Sequence, residues 1–331
     1  MAHAAAAGLV AGLLAYAAFG GADFGAGFWD LTAGGAEAGR QPRARIDASL
    51  GPVWEANHTW LIYCLVVMWT AFPAAFAAVM TTLYLPLGVA ALGIVLRGSG
   101  FAFRKAVWRT SQARLSGIAF ALSSVLTPLA FGTVAGAIAS GRVPARGYGP
   151  PFSSWLNPSS VMSGLLAVAV CAYLAAAFLT ADAHAAHETE LVDWFGRRAR
   201  VAAVVTGALS IVGLVVARAD APLLFDHLVH RAWPLAFCSV AAGVAALLLL
   251  RRASPRLMRV VSWVAVTTLV LAWPVAQAPY LLGTHTTISS AAAPQTSLVP
   301  LAIIIVIAGA VITPSFALLY VLQQRSQLHE G

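Results

Sequence analysis

The feature that most constrains the fold is a long run of residues without charge. From residue 60 to residue 96 the sequence contains no Asp, Glu, Lys or Arg. As one helix rising 1.5 Å per residue, this run would be about 55 Å long, whereas the hydrocarbon core of a bilayer is about 30 Å thick. The run must therefore turn, and Pro73 marks a predicted tight hairpin between two membrane spans because proline interrupts a helix.

Composition extends this interpretation to the whole chain. The 331 residues are 60% hydrophobic and 10% charged, which leaves too little polar surface for a soluble globule of this size. Backbone groups in lipid must be paired internally, and the long apolar runs favour helices over the alternating strands of a barrel. We predict an all-α, polytopic integral membrane protein forming a single transmembrane domain over residues 1–331. About nine spans are expected, at roughly 5–32, 49–72, 74–97, 114–140, 158–181, 199–217, 231–250, 257–276 and 298–323.

The distribution of basic residues predicts the orientation in the membrane. With the N-terminus outside and nine spans, sixteen of the 20 Lys and Arg residues fall on the inner side. Positive charge accumulates in cytoplasmic loops, so we expect the N-terminus outside and the C-terminus inside. The net charge of +8 is explained by these loops, and no nucleic-acid partner is predicted.

Neither a disulfide framework nor a metal site is indicated. Cys64, Cys171 and Cys238 lie in apolar runs without the spacing of a metal-binding motif, which is typical of packing residues. His184 and His187 have a spacing that a metal could use, but they lie in a predicted loop over residues 182–200, where a solvated face is favoured.

Two carboxylates and a glycine stripe stand out in the first span. Asp23 and Asp30 are seven residues apart, about two helical turns, and therefore share one face of the helix. Gly21, Gly25 and Gly27 lie on the same segment, and the GxxxG spacing of the first two favours close approach of another helix. We expect Asp30 to be a capping or interfacial carboxylate, while Asp23 lies deeper, with either a functional or a partner-contacting role.

The second span begins with an unusually polar segment that contains Trp54, Glu55, Asn57, His58 and Trp60. A charged group at membrane depth costs about 2.5–3.5 kcal/mol on insertion scales, so the glutamate should face protein or water. It could form a carboxylate pair with the acid of the first span. Two interpretations are open: part of a proton path, or a structural knot of hydrogen bonds between helices. Haem ligation by His58 is not favoured because a second axial ligand is not evident.

Two further segments have distinct compositions. Basic and aromatic residues alternate from Arg97 to Arg109, which predicts a cytoplasmic turn that contacts lipid headgroups. Residues 276–297 contain no Asp, Glu, Lys or Arg, and we expect this loop to pack on protein.

Taken in order, these segments resemble subunit II of the cytochrome bd quinol oxidases. The motifs that carry the resemblance are Gly21–Gly27, Gly51–Leu61, Thr70–Pro73, Leu83–Leu87, Leu96–Arg104, Asn157-Pro158 and Trp273–Pro279. The resemblance is most specific in the first third of the chain. Where the family usually has Asp followed by Gly, this sequence has Glu55-Ala56, which keeps the carboxylate and lengthens its side chain by one methylene.

The resemblance implies a heterodimer in a bacterial cytoplasmic membrane. Haem b558, haem b595, haem d and the quinol site would belong to subunit I, and this chain would ligate none of them. It would form two four-helix bundles, roughly 1–140 and 158–276, plus a peripheral helix at roughly 298–323. A structural quinone and a small single-span accessory subunit are further expectations.

The residues of the first two spans, taken together with the resemblance, provide the candidate site residues. The proton-route candidates are Glu55, Asp23, His58, Asn57 and Asp30, and the subunit-interface candidates are Trp54, Trp60, Gly21, Gly25 and Gly27. The alternatives are a secondary transporter and a purely structural assembly subunit. A transporter is disfavoured because the polar residues of spans one and two have no counterpart in spans five and six.

Overall fold

The structure is a computed structural model that describes residues 1–35, 37–50, 53–106, 110–145, 147–249 and 254–327. Within these ranges, the side chains of residues 50, 53–56, 101–106, 110–116, 320 and 323–327 lie outside the description.

Helices make up nearly all of the described chain. In chain order they are α1 (Ala2–Ala15), α2 (Gly21–Leu31), α3 (Arg40–Leu50), α4 (Val53–Ala71), α5 (Pro73–Thr82), α6 (Tyr84–Ala106), α7 (Thr110–Ala139), α8 (Pro158–Ala185), α9 (Thr189–Asp220), α10 (Pro222–His230), α11 (Trp233–Leu249), α12 (Pro255–Gln277), α13 (Ile288–Ala291) and α14 (Gln295–Gln327). A five-residue π-helical turn, Tyr16–Gly20, joins α1 to α2 without a break. The only strands in the described ranges are β1 (Tyr280–Leu282) and β2 (Thr286–Thr287), which pair antiparallel.

The predicted all-α, polytopic membrane class is confirmed. In the described part of the chain, six helical segments are long and apolar enough to cross a membrane, and the number rises to eight if each of two bent helix pairs is one span. The count of nine spans, the two bundles and the orientation remain predictions.

The charge-free run turns in a different way from the predicted hairpin. Helix α4 ends at Ala71 and Pro73 occupies the first turn of α5, with a bend of 120° between the two helices. Proline stops the preceding helix, but it is favourable at a helix start, where its missing N–H group has no partner to lose. The predicted third span, residues 74–97, is therefore divided between the ten-residue helix α5 and the first part of α6, and its boundaries remain a prediction.

The predicted loop at residues 182–200 is also mostly helical. Helix α8 continues to Ala185 and α9 begins at Thr189, well before the predicted span start at residue 199. Hydropathy locates only the apolar part of a helix, and these two helices extend beyond that part. The connection between them is a turn in which His187 has a φ of 59°.

Helix α2 packs against both α7 and α8. Helix α7 also packs on α6, and α8 packs on α9 and α12. Helix α8 contains several alanines that are almost fully buried, including Ala172, Ala175 and Ala176. Small side chains let helix backbones approach closely, and the Trp29 indole N–H donates to the Ala172 carbonyl at 2.8 Å.

The uncharged loop at residues 276–297 packs on protein, as predicted. Leu282 is buried, and the Ala293 N–H donates to the carbonyl of Ala71 at the end of α4 at 2.8 Å. Gln277 Nε2 donates to the Gly283 carbonyl at 3.0 Å, which closes the loop on itself.

Candidate functional site

Asp23 lies in the first turns of α2 and is 7% exposed. Its Oδ2 atom accepts a hydrogen bond of 2.9 Å from Nδ2 of Asn57, a buried residue of α4. The same amide group donates to the Phe19 carbonyl at 3.3 Å. The structure thus brings together two of the predicted site residues, Asp23 and Asn57. The Asn57 side chain of α4 binds both the Asp23 carboxylate and the π-helical turn that precedes α2.

The partner that the sequence analysis missed is Arg97 of α6, which is 1% exposed. Its Nη2 atom donates to the Asp23 carbonyl at 2.8 Å and lies 3.9 Å from the carboxylate atom Oδ1. Its Nη1 atom donates to Oγ of Ser124 on α7. The guanidinium carbon also lies 5.0 Å from the ring centroid of Phe24 and 4.5 Å from that of Phe120, within range for cation–π contact.

The prediction that Arg97 begins a headgroup-contacting turn was therefore wrong for this residue. Helix α6 continues nine residues beyond Arg97, to Ala106, so the arginine lies within the helix and not at its end. The sequence does contain a signal for this pairing: Arg97 is a positively charged residue next to an apolar run, and it could compensate the negative charge of Asp23. A buried carboxylate requires a partner of this kind.

Together these side chains form a buried cluster that links α2, α4, α6 and α7. We call Asp23, Asn57, Arg97 and Ser124 the polar cluster. Its two formal charges are opposite, and each is engaged by a hydrogen bond or an aromatic face. In a low-dielectric interior, an arrangement of this kind is stable only as a unit, because removing one partner leaves the other charge buried and uncompensated.

Glycines make the cluster sterically possible. A Cβ atom on Gly27 would lie 2.1 Å from Oγ of Ser124 and 3.1 Å from Nη1 of Arg97. A Cβ on Gly25 would lie 1.8 Å from the Cys171 carbonyl oxygen of α8. The close approaches predicted for these glycines are therefore made by helices of this chain, and a role at a partner interface is not needed to explain them.

The structure leaves more space for a side chain at Gly21 than at Gly25. A Cβ atom there would lie 3.6 Å from Sγ of Cys171, which is ordinary van der Waals contact. This glycine also faces α8, and its predicted role at a subunit interface remains a prediction.

Asp30 lies in the last turn of α2 and forms a different ion pair. Its Oδ1 atom accepts from Nε of Arg43 at 2.9 Å, and Arg43 also donates to the carbonyl of Gly34 at 2.6 Å. Arg43 belongs to α3, so this contact fastens the short helix to the end of the first span. Asp30 is 5% exposed, and its predicted position at the membrane interface remains a prediction.

Of the other candidate residues in span two, the structure describes the side chains of His58 and Trp60 but not those of Trp54 and Glu55. Trp54 and Glu55 fall in the first turn of α4, but their side chains lie outside the described residues. His58 is half-buried. The Trp60 ring lies 5.4 Å from that of Phe316 on α14, so it packs on a helix of the same chain.

The described residues include no group of three or more His, Cys, Asp or Glu that could hold a metal ion. His184 and His187 are both exposed, in agreement with the expected solvated face.

The fold and the cluster define a class of protein: a polytopic α-helical membrane protein whose first spans are joined by a buried ion pair. The family model described as cytochrome bd terminal oxidase subunit II matches residues 1–323. The chain belongs to this family.

Individual relatives are more distant. Cytochrome bd ubiquinol oxidase subunit 2 of Bacillus subtilis is 24% identical over 134 residues, a segment that spans 40% of each chain. The structure of bd oxidase from Geobacillus thermodenitrificans includes a chain that superposes with a TM-score of 0.81. That match has 23% identity and covers 97% of this chain and 98% of the other, so it supports the shared fold.

Proposed function

We propose that the chain is the non-haem-ligating subunit II of a respiratory quinol oxidase that reduces O2 to water. Its partner is a haem-bearing subunit I that carries haem b558, haem b595, haem d and the quinol site. The observation that carries the proposal is the match of the family model to residues 1–323, nearly the full length of the chain.

The small number of possible haem ligands in the predicted spans of this chain supports assigning the haems to the partner. His58 is the one histidine that the sequence analysis places inside a span, and it lies in α4. The polar cluster uses its carboxylate, amide and guanidinium groups to join helices of this chain. A scaffold held in this way offers the partner subunit a rigid surface. The structural quinone and the accessory subunit are part of the proposal without an assigned residue.

We assign the proton route to Glu55. Asp23 is held by Asn57 and Arg97, so its carboxylate serves the scaffold. Glu55 lies two residues before Asn57 in α4, at the end of this helix that approaches the polar cluster. A carboxylate near the start of a span can receive protons from the adjacent aqueous side and pass them inward.

The test of function and route is quinol-driven oxygen consumption by membranes that contain the chain together with its haem-bearing partner. Glu55→Gln preserves shape and hydrogen bonding but removes the titratable proton. We expect this variant to keep the haem content of the complex and to lose about 10²-fold or more of the oxygen consumption, the range typical of general acid–base groups. Glu55→Asp should retain much of the activity.

The outcomes separate the alternatives. Full activity with Glu55→Gln would leave this chain as a purely structural assembly subunit. If the wild-type chain adds no quinol-driven oxygen consumption to membranes that contain its partner, the assignment as an oxidase subunit is wrong, and the transporter alternative returns.

A further inference from the structure

An open cleft of about 330 Å³ lies where the end of α2 meets the early turns of α9. Its lining consists of Trp29, Thr32, Arg197, Arg198 and Val201. Two adjacent arginines, an indole ring and a hydroxyl group thus surround one opening next to an apolar helix surface.

Arg197 and Arg198 differ from two arginines at the same end of the molecule that are neutralised by carboxylates. Arg45 is paired with Glu188, and Arg259 is paired with Asp182. Among the residues that the structure describes, neither Arg197 nor Arg198 forms an ion pair with a carboxylate. The N–H donors of both guanidinium groups are therefore not taken up by a carboxylate in an ion pair among the described residues.

Arg198 is held in an orientation that leaves donors available. Its guanidinium carbon lies 3.1 Å from the ring centroid of Trp194, and its Nη1 atom donates to the Trp194 carbonyl at 3.2 Å. Stacking uses the face of the guanidinium plane, whereas its hydrogen-bonding edge carries five N–H groups. An anion in the cleft could accept from this edge and from the exposed Arg197 at the same time.

The helix surface beyond the arginines is apolar. Val201 is 62% exposed and Val204 is 66% exposed, and they follow Arg197 at the four- and seven-residue spacings that place side chains on one helix face. The same face of α9 thus presents charge at one end and hydrocarbon along its length.

From this arrangement we propose that the cleft binds the phosphate headgroup of an anionic phospholipid, with an acyl chain lying along Val201 and Val204. The occupant is a lipid and not free phosphate, because the charged cleft opens directly onto a surface that favours hydrocarbon. This site is separate from the polar cluster and from the proposed proton route.

The experiment is a lipid titration of the purified full-length chain after delipidation in detergent, followed by native mass spectrometry. The probes are phosphatidylglycerol, phosphatidylcholine and inorganic phosphate. We expect one preferred phosphatidylglycerol site, weakened about 30-fold by Arg197→Gln/Arg198→Gln, since each basic residue near an anionic headgroup contributes about fivefold. Phosphatidylcholine should bind more weakly than phosphatidylglycerol.

Arg218→Gln is the matched control, because Arg218 is an exposed arginine in the last turn of the same helix and lies outside the cleft. It should leave the affinity unchanged. Arg197→Gln alone, at an exposed position, provides a second variant with an expected loss of about fivefold if the double variant folds poorly. Unchanged affinity in the cleft variants, equal binding of phosphatidylcholine, or displacement of the lipid by inorganic phosphate would each overturn the proposal.

Discussion

Replacing Arg97 with Gln is expected to lower the free energy of unfolding of the chain by about 3–5 kcal/mol, the cost of leaving one partner of a buried ion pair uncompensated. The variant would leave the buried carboxylate of Asp23 without a cation and remove the donors to the Asp23 carbonyl and to Ser124. Unfolding in mixed micelles, followed by circular dichroism, measures this loss.

A double-mutant cycle makes the prediction specific to the pair. In an Asp23→Asn background, Arg97→Gln should cost measurably less, because no buried carboxylate remains to be compensated. Arg45→Gln is the comparison variant, since the side chain of its partner Glu188 is 37% exposed and stays solvated without the arginine; this pair should contribute about 1 kcal/mol or less. Equal costs for Arg97→Gln in both backgrounds would show that the cluster is not held by its charges.

The second large effect is expected from Gly25→Ala. The added Cβ atom would lie 1.8 Å from the backbone carbonyl of Cys171, so α2 and α8 would have to move apart. Overpacking of this kind costs about 1–3 kcal/mol, and more where the clashing atom is backbone. The yield of folded chain and its thermal midpoint in detergent should both fall.

Gly21→Ala provides the matched control one helical turn earlier. There the added Cβ would meet Sγ of Cys171 at 3.6 Å, an ordinary contact, and alanine favours a helix by up to about 1 kcal/mol relative to glycine. This variant should be neutral or stabilising. A Gly21→Ala variant as unstable as Gly25→Ala would argue against the described packing of α2 on α8.

The sequence was sufficient to predict the class of fold because hydropathy and backbone pairing leave few alternatives in a membrane. It was also sufficient to select Asp23 and Asn57 as candidate site residues, since the cost of polar groups at membrane depth makes them conspicuous, but it did not predict that they are hydrogen-bonded to each other. Their connection through Arg97 was not predicted. An arginine at the end of an apolar run is usually interfacial, and only the continuation of α6 to Ala106 shows that this one is buried.

The helix boundaries were missed for a related reason. Hydropathy cannot distinguish a direct hairpin at Pro73 from a proline that begins the short helix α5. It also cannot show that α9 extends ten residues before its apolar part, although that extension places Arg197 and Arg198 beside Trp29. Packing within the chain explains Gly25 and Gly27, whereas the GxxxG spacing alone did not indicate which helix would pack against Gly25.

The haem absorption spectrum of this chain, purified alone and purified together with its haem-bearing partner, tests directly which subunit ligates the haems. We expect no stoichiometric haem in the isolated chain and the absorption of haem b558, haem b595 and haem d in the complex. One bound haem per isolated chain, lost on His58→Ala, would contradict the assignment of all haem ligation to the partner subunit.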